Sequence, residues 1–166
     1  MTADAWNARI PLLVTQENDQ TVNNSTTYVD SEITFTPEIN AVYRYLLLIS
    51  YSTGGDGSGS TGDFKWNWDA PNALFASFTQ AVALAATGTF NSPQSVIFRR
   101  PGNTTDRVAG GANGSGTFWS AYDQGTFETD GTLNTITMRF AQDTAAVEDT
   151  ILRGGNQTRM IYERII

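Results

Sequence analysis

Apolar and polar positions along the chain alternate with the period of two that a half-buried strand requires. The clearest case is Asp63 to Asp69, where Phe64, Trp66 and Trp68 fall on one face and polar or charged residues on the other. Asn134 to Gln142 repeats the pattern, with Ile136, Met138 and Phe140 sharing a face. Further strands are predicted at Gln20–Val22, Thr27–Asp30, Ile33–Phe35, Ser95–Arg99, Thr117–Phe127, Thr150–Leu152 and Arg159–Ile166. Val42 to Ser52 is the longest apolar stretch. Its Leu46-Leu47-Leu48-Ile49 run does not alternate, which predicts a central strand covered on both faces. Leu74 to Ala86 is ambiguous: Phe75, Phe78 and Val82 have helical spacing, while Phe78 to Val82 also suits a strand.

Turn chemistry separates these segments. Asn23-Asn24-Ser25 and Pro37-Glu38-Ile39-Asn40 are short turns, Gly54–Gly62 is a Gly/Ser loop and Gly102–Gly116 a polar loop. About eight antiparallel strands with turns between them predict an all-β fold, a β-sandwich or jelly roll. The first residues lack this period. Residues 1–18 are read as an extended N-terminal arm that packs either on its own domain or on a neighbour, with Trp6, Arg9 and Ile10 as its contact residues, and 19–166 as a single sandwich domain. Pro11 interrupts any ladder or helix that would run through it.

Composition sharpens the picture. The chain has nine Phe, six Tyr, four Trp, fifteen Gly and a single lysine, Lys65, which favours strands over helices. A formal net charge of −7 opposes general nucleic-acid binding, because phosphate neutralisation needs clustered cations. No apolar run reaches membrane-spanning length, and residues 1–9 do not read as a secretion signal. Cysteine and histidine are both absent, which removes disulfides, thiolate metal sites and the commonest general base. No metal, cofactor or catalytic activity is expected.

The candidate chemistry is sparse. Asp63 with Asp69, or Glu128 with Asp130, would suit glycoside hydrolysis only if held across a cleft; turn and solvated roles account for them equally well. Lys65, opposite the Phe64–Trp66–Trp68 face, reads as a solvated strand lysine. The Gly54–Asp63 loop lacks the Gly-Lys-Ser/Thr ending of a phosphate loop and offers few ligands for calcium. Trp66, Trp68, Trp119 and Tyr122 could form a sugar-stacking platform, although alternation places Trp66 and Trp68 in the core. Arg99, Arg100 and Arg107 form either a small basic patch or a solvated loop.

Several segments resemble those of tailed-phage virion surface β-sandwich proteins: Asp19 to Asp30, Pro37 to Tyr45, Gly62 to Trp68 followed by Ala70-Pro71, Leu133 to Asp143, and Gly154-Gly155 with the strand from Arg159 to Ile166. The resemblance covers residues 19–166, with a poor match over 74–116, and rests on strand and turn patterns. It implies a structural virion protein: a capsid decoration protein, a head fibre or a tail-associated module, commonly trimeric. A capsid decoration protein on the outer head surface, bound to the major capsid protein, is the leading expectation. A tail or head-fibre module that binds host-surface carbohydrate is the alternative. The resemblance carries over no functional residues.

Overall fold

The computed structural model describes residues 10–53, 62–82, 95–101, 105–110 and 117–166, with backbone alone for 82 and 95–101. Among them are twelve strands: β1 (Leu12–Thr15), β2 (Gln20–Val22), β3 (Val29–Phe35), β4 (Val42–Thr53), β5 (Phe64–Asp69), β6 (Ala73–Val82), β7 (Ser95–Pro101), β8 (Arg107–Ala109), β9 (Trp119–Thr129), β10 (Ile136–Gln142), β11 (Thr150–Leu152) and β12 (Arg159–Arg164). They form two antiparallel sheets, so the all-β sandwich expectation holds. The strand count exceeds the expected number because β1 and β8 are too short to show a period and β6 carries helical spacing.

The larger sheet runs β1-β12-β4-β9-β6-β7. β4 is long enough to pair with β9 along one side and with β12 and then β11 along the other, and β2 extends the sheet beyond β11. The smaller sheet runs β3-β10-β5-β8. Positive-φ asparagines close several turns, among them Asn40 between β3 and β4 and Asn72 between β5 and β6; asparagine tolerates this conformation better than other residues with a Cβ.

Between the sheets lies a slab of aromatic rings. Tyr43 stacks on Phe127 at 4.8 Å, Phe75 on Trp68 at 5.2 Å and Tyr51 on Phe64 at 4.6 Å. Phe64, Trp66 and Trp68 all face inward, as the alternation predicts.

The structure corrects one reading, settles a second and refines a third. β4 does alternate: Tyr43, Tyr45, Leu47, Ile49 and Tyr51 are buried, while Leu46 and Leu48 stand half-buried on the outer face. Apolar residues on both faces hid the period. Ala73–Val82 is a strand, not a helix, so Phe75 points inward and Phe78 outward despite their helical spacing. Lastly, the boundary at residue 18 falls too late. Leu12–Thr15 pairs with Met160 and its neighbours on β12, and the Glu32 carboxylate accepts hydrogen bonds from the backbone amides of Glu17 and Asn18. Residues 12–18 therefore belong to the sandwich; Trp6 and Arg9 lie outside the described residues.

Candidate interaction surfaces

Burial decides the fate of the aromatic candidates. Trp66 and Trp68 are both 0% exposed, Trp119 is half-buried against the core, and only Tyr122, at 43%, shows a substantial surface. The four do not assemble into a sugar-stacking platform. The indole Nε1 groups of Trp66 and Trp68 donate instead to the buried carboxylate of Asp123, each at 3.3 Å, and the Tyr45 hydroxyl donates to its other oxygen at 3.0 Å. Arg107 completes this centre with an ion pair to Asp123 and with hydrogen bonds to Ser77 Oγ and the Thr105 carbonyl. It is wholly buried and so belongs to no basic patch. Tyr45 is held well above its ordinary pKa, first by burial and then by the Asp123 charge.

The carboxylate candidates have structural roles. Asp63 and Asp69 flank opposite ends of β5, about 20 Å apart at strand rise, and Asp69 faces Arg139 at 3.5 Å. Asp130 Oδ1 accepts from the Thr132 amide and shapes the β9–β10 turn. Lys65 is half-buried, with its ammonium 5.0 Å from the centre of the Tyr28 ring. Tyr28 is itself flanked by Arg139, and Asn67 bridges Arg139 to Asp106. The outer face of the smaller sheet thus carries a polar network built around the Tyr28 ring. Among the described residues no three acidic side chains converge as metal ligands, and no helix is long and apolar enough to cross a membrane.

Exposed apolar side chains are what stand out, and most of them gather in two places, with Val29, Phe118 and Val147 apart from both. At one end of the sandwich the β3–β4 turn carries Ile39, the β9–β10 turn Leu133, and the C-terminal stretch Ile165 and Ile166; Leu133 is 65% and Ile166 74% exposed. These come together because the Val42 carbonyl accepts from the Ile165 and Ile166 amides, and the Asn40 amide donates to the Asp130 carbonyl. The chain also enters here: Leu12 pairs with Tyr162, which places Pro11 and Ile10 beside the last residues of β12. Ile10, exposed like its neighbours, therefore joins this end.

The second place is the outer face of the larger sheet. Cross-strand registers align Leu13, Ile161, Leu46, Gln124 and Phe78 in one row, and Arg159, Leu48, Tyr122 and Gln80 in the next. Leu74 lies near the edge of this face, 73% exposed. A shallow groove of about 320 Å³ runs between Pro11, Leu46, Gln124 and Ile161, with the Arg44–Glu163 ion pair on its rim. Neither surface was foreseen from the sequence. The available signal was a strand apolar on both faces, as in Leu74-Phe75 and Leu46-Leu47-Leu48.

No protein-family model matches this chain, and no curated protein matches it. Among solved structures it aligns with the VP2 subviral particle of infectious bursal disease virus at 8% identity and a TM-score of 0.25, over 95% of this chain. A second alignment, to the T13 particle of the same virus, gives 9% identity and a TM-score of 0.26 over 96%. The chain spans about two fifths of the length of those proteins, 41% and 40% respectively. Similarity this low establishes neither a common family nor a common role.

Proposed function

We propose that this protein is a structural subunit of a virus particle, a capsid decoration protein that attaches to the outer surface of a tailed-phage head. The observation that supports this reading most is the apolar end of the sandwich, where Ile39, Leu133, Ile165 and Ile166 surround the point at which residues 1–10 join the fold. Exposed apolar groups grouped in this way mark a contact surface, because a monomer in water gains nothing from presenting them. A protein that strengthens an assembled shell works by burying such area selectively on the assembled state. Its body should hold its shape while doing so, and a sandwich cored by stacked rings and a buried ion pair suits that. In this reading Trp6, Arg9 and Ile10 extend the contact as a tether, and the activity is binding rather than chemistry.

The test is co-sedimentation of the purified chain with phage heads stripped of accessory proteins. Saturable binding is expected, with loss of most binding in a chain lacking residues 1–9 and in Leu133→Asp combined with Ile166→Asp. Absence of binding to heads, or undiminished binding by both variants, would discard the reading. Glycan binding by tail structures would then become the question.

A further inference from the structure

We infer that the outer face of the larger sheet is the contact between two copies of this chain, paired face to face about a two-fold axis. This goes beyond the particle-facing end and does not depend on it.

The area is sufficient. The five strands β1, β12, β4, β9 and β6, about 4.8 Å apart and about nine residues long on average, offer roughly 700 Å², close to the ~800 Å² that each partner contributes to a standard interface. The centre of the face is apolar, with Leu46 and Leu48 half-buried and Leu13, Ile161, Tyr122 and Phe78 exposed.

Charge favours a second copy as the occupant. The chain carries a net charge of −7, so two copies repel unless they meet on a neutral surface. On the five strands from β1 to β6, whose side chains are described, this face is neutral: Arg44 and Arg159 balance Glu128 and Glu163, and Arg44 is paired with Glu163. A partner recruited by charge would be drawn instead to the acidic remainder of the molecule.

The chemistry of the face is also self-complementary. One flank is aliphatic, with Leu13, Ile161 and Leu46; the other is aromatic, with Tyr122 and Phe78. Gln124 lies between them in the row that joins Ile161 to Phe78. A two-fold axis that runs along the strands between Leu46 and Gln124 lays Ile161 of each copy over Phe78 of the other, and so the aliphatic flank over the aromatic one, as an isologous contact requires. The result is a pair in place of the three-fold assembly that the sequence resemblance implies.

Sedimentation equilibrium of the full chain over a range of concentrations tests this. The wild-type mass is expected to be that of two copies. Phe78→Glu and Ile161→Lys, each at an exposed position, should give single copies with an unchanged circular dichroism spectrum. Mixing these two variants should restore a pair, because Glu at 78 of one chain then meets Lys at 161 of the other. Leu133→Asp, at the end of the sandwich, should leave the mass unaltered. A wild-type chain that stays single at every concentration, one that forms trimers, or a pair indifferent to both substitutions would overturn the inference.

Discussion

Arg107 Nε and Asp123 Oδ2 lie 2.6 Å apart with both side chains shut off from water. The pair joins β8 of the smaller sheet to β9 of the larger one, and the same carboxylate accepts from Trp66, Trp68 and Tyr45. Removing one partner strands the other as an uncompensated buried charge. Asp123→Ala is expected to lower stability by about 3–5 kcal/mol in urea denaturation. Arg107→Met together with Asp123→Leu should cost less than the sum of the two single variants, since no charge is then left buried. Equal additivity would show that the two groups act independently.

Gly125 sits where the β6 backbone comes closest to β9. A Cβ there would stand 2.1 Å from the Ala76 carbonyl oxygen and 2.7 Å from the Ser77 Cα. Both are main-chain atoms in a paired strand and cannot rotate aside. Gly125→Ala is expected to destabilise by about 1–3 kcal/mol or more through overpacking. Thr126→Ala, one residue along and on the outer face, should change the melting temperature far less. A melting temperature unmoved by Gly125→Ala would mean that β6 can shift freely.

The Glu32 carboxylate accepts from the Asn18 side chain and from the Asn18 and Glu17 amides, and these bonds hold its pKa below the ordinary 4.5. Because the folded value is depressed, the contribution is present above the unfolded value and fades as pH falls through the folded one. Amide exchange at Glu17 and Asn18, corrected for intrinsic rate, is expected to quicken once the pH is taken below the ordinary carboxylate range. Glu32→Gln should remove that acid dependence. Protection that is flat with pH in the wild-type protein would show that the carboxylate does not hold this turn.

At the alkaline end the buried phenols govern. Tyr51 is raised above the ordinary 10.0 by burial and then by the Asp63 charge, and Tyr45 by burial and then by Asp123. The folded state favours the neutral form, so this contribution is complete below the unfolded value and lost as pH climbs above it. Phenolate absorbance from Tyr45 and Tyr51 should therefore develop together with unfolding. In Tyr51→Phe the alkaline transition should move to higher pH. Ionisation of both tyrosines in a chain that keeps its native circular dichroism would refute this.

Much of the fold is legible in the sequence wherever one face of a strand meets the core and the other meets polar solvent. That condition holds for Phe64-Lys65-Trp66-Asn67-Trp68 and for Ile136 to Phe140, and these strands read cleanly. It fails where the outer face is also apolar. Leu46 and Leu48 look like core residues in sequence, and Phe78 resembles a helical partner of Phe75, because nothing local says that the second face lies open. β1 and β8 escape because strands of three or four residues carry no period. The Arg107–Asp123 pair is beyond any local reading: its members are sixteen positions apart in sequence and meet only when the two sheets close. Both exposed apolar surfaces share this dependence on topology, since each joins residues far apart along the chain.

The placement of the chain ends gives the molecule a direction. Pro11 and Ile166 lie at one end of the sandwich, while Thr53 and Gly62 stand at the other, where Thr150 pairs with Thr53 and donates its hydroxyl hydrogen to the Gly62 carbonyl. A peptide appended after Ile166 would emerge beside the exposed side chains of Ile39 and Leu133 and compete for whatever that end contacts. The same peptide spliced between Thr53 and Gly62 would emerge at the opposite end and leave those side chains open. Foreign sequence therefore belongs between Thr53 and Gly62.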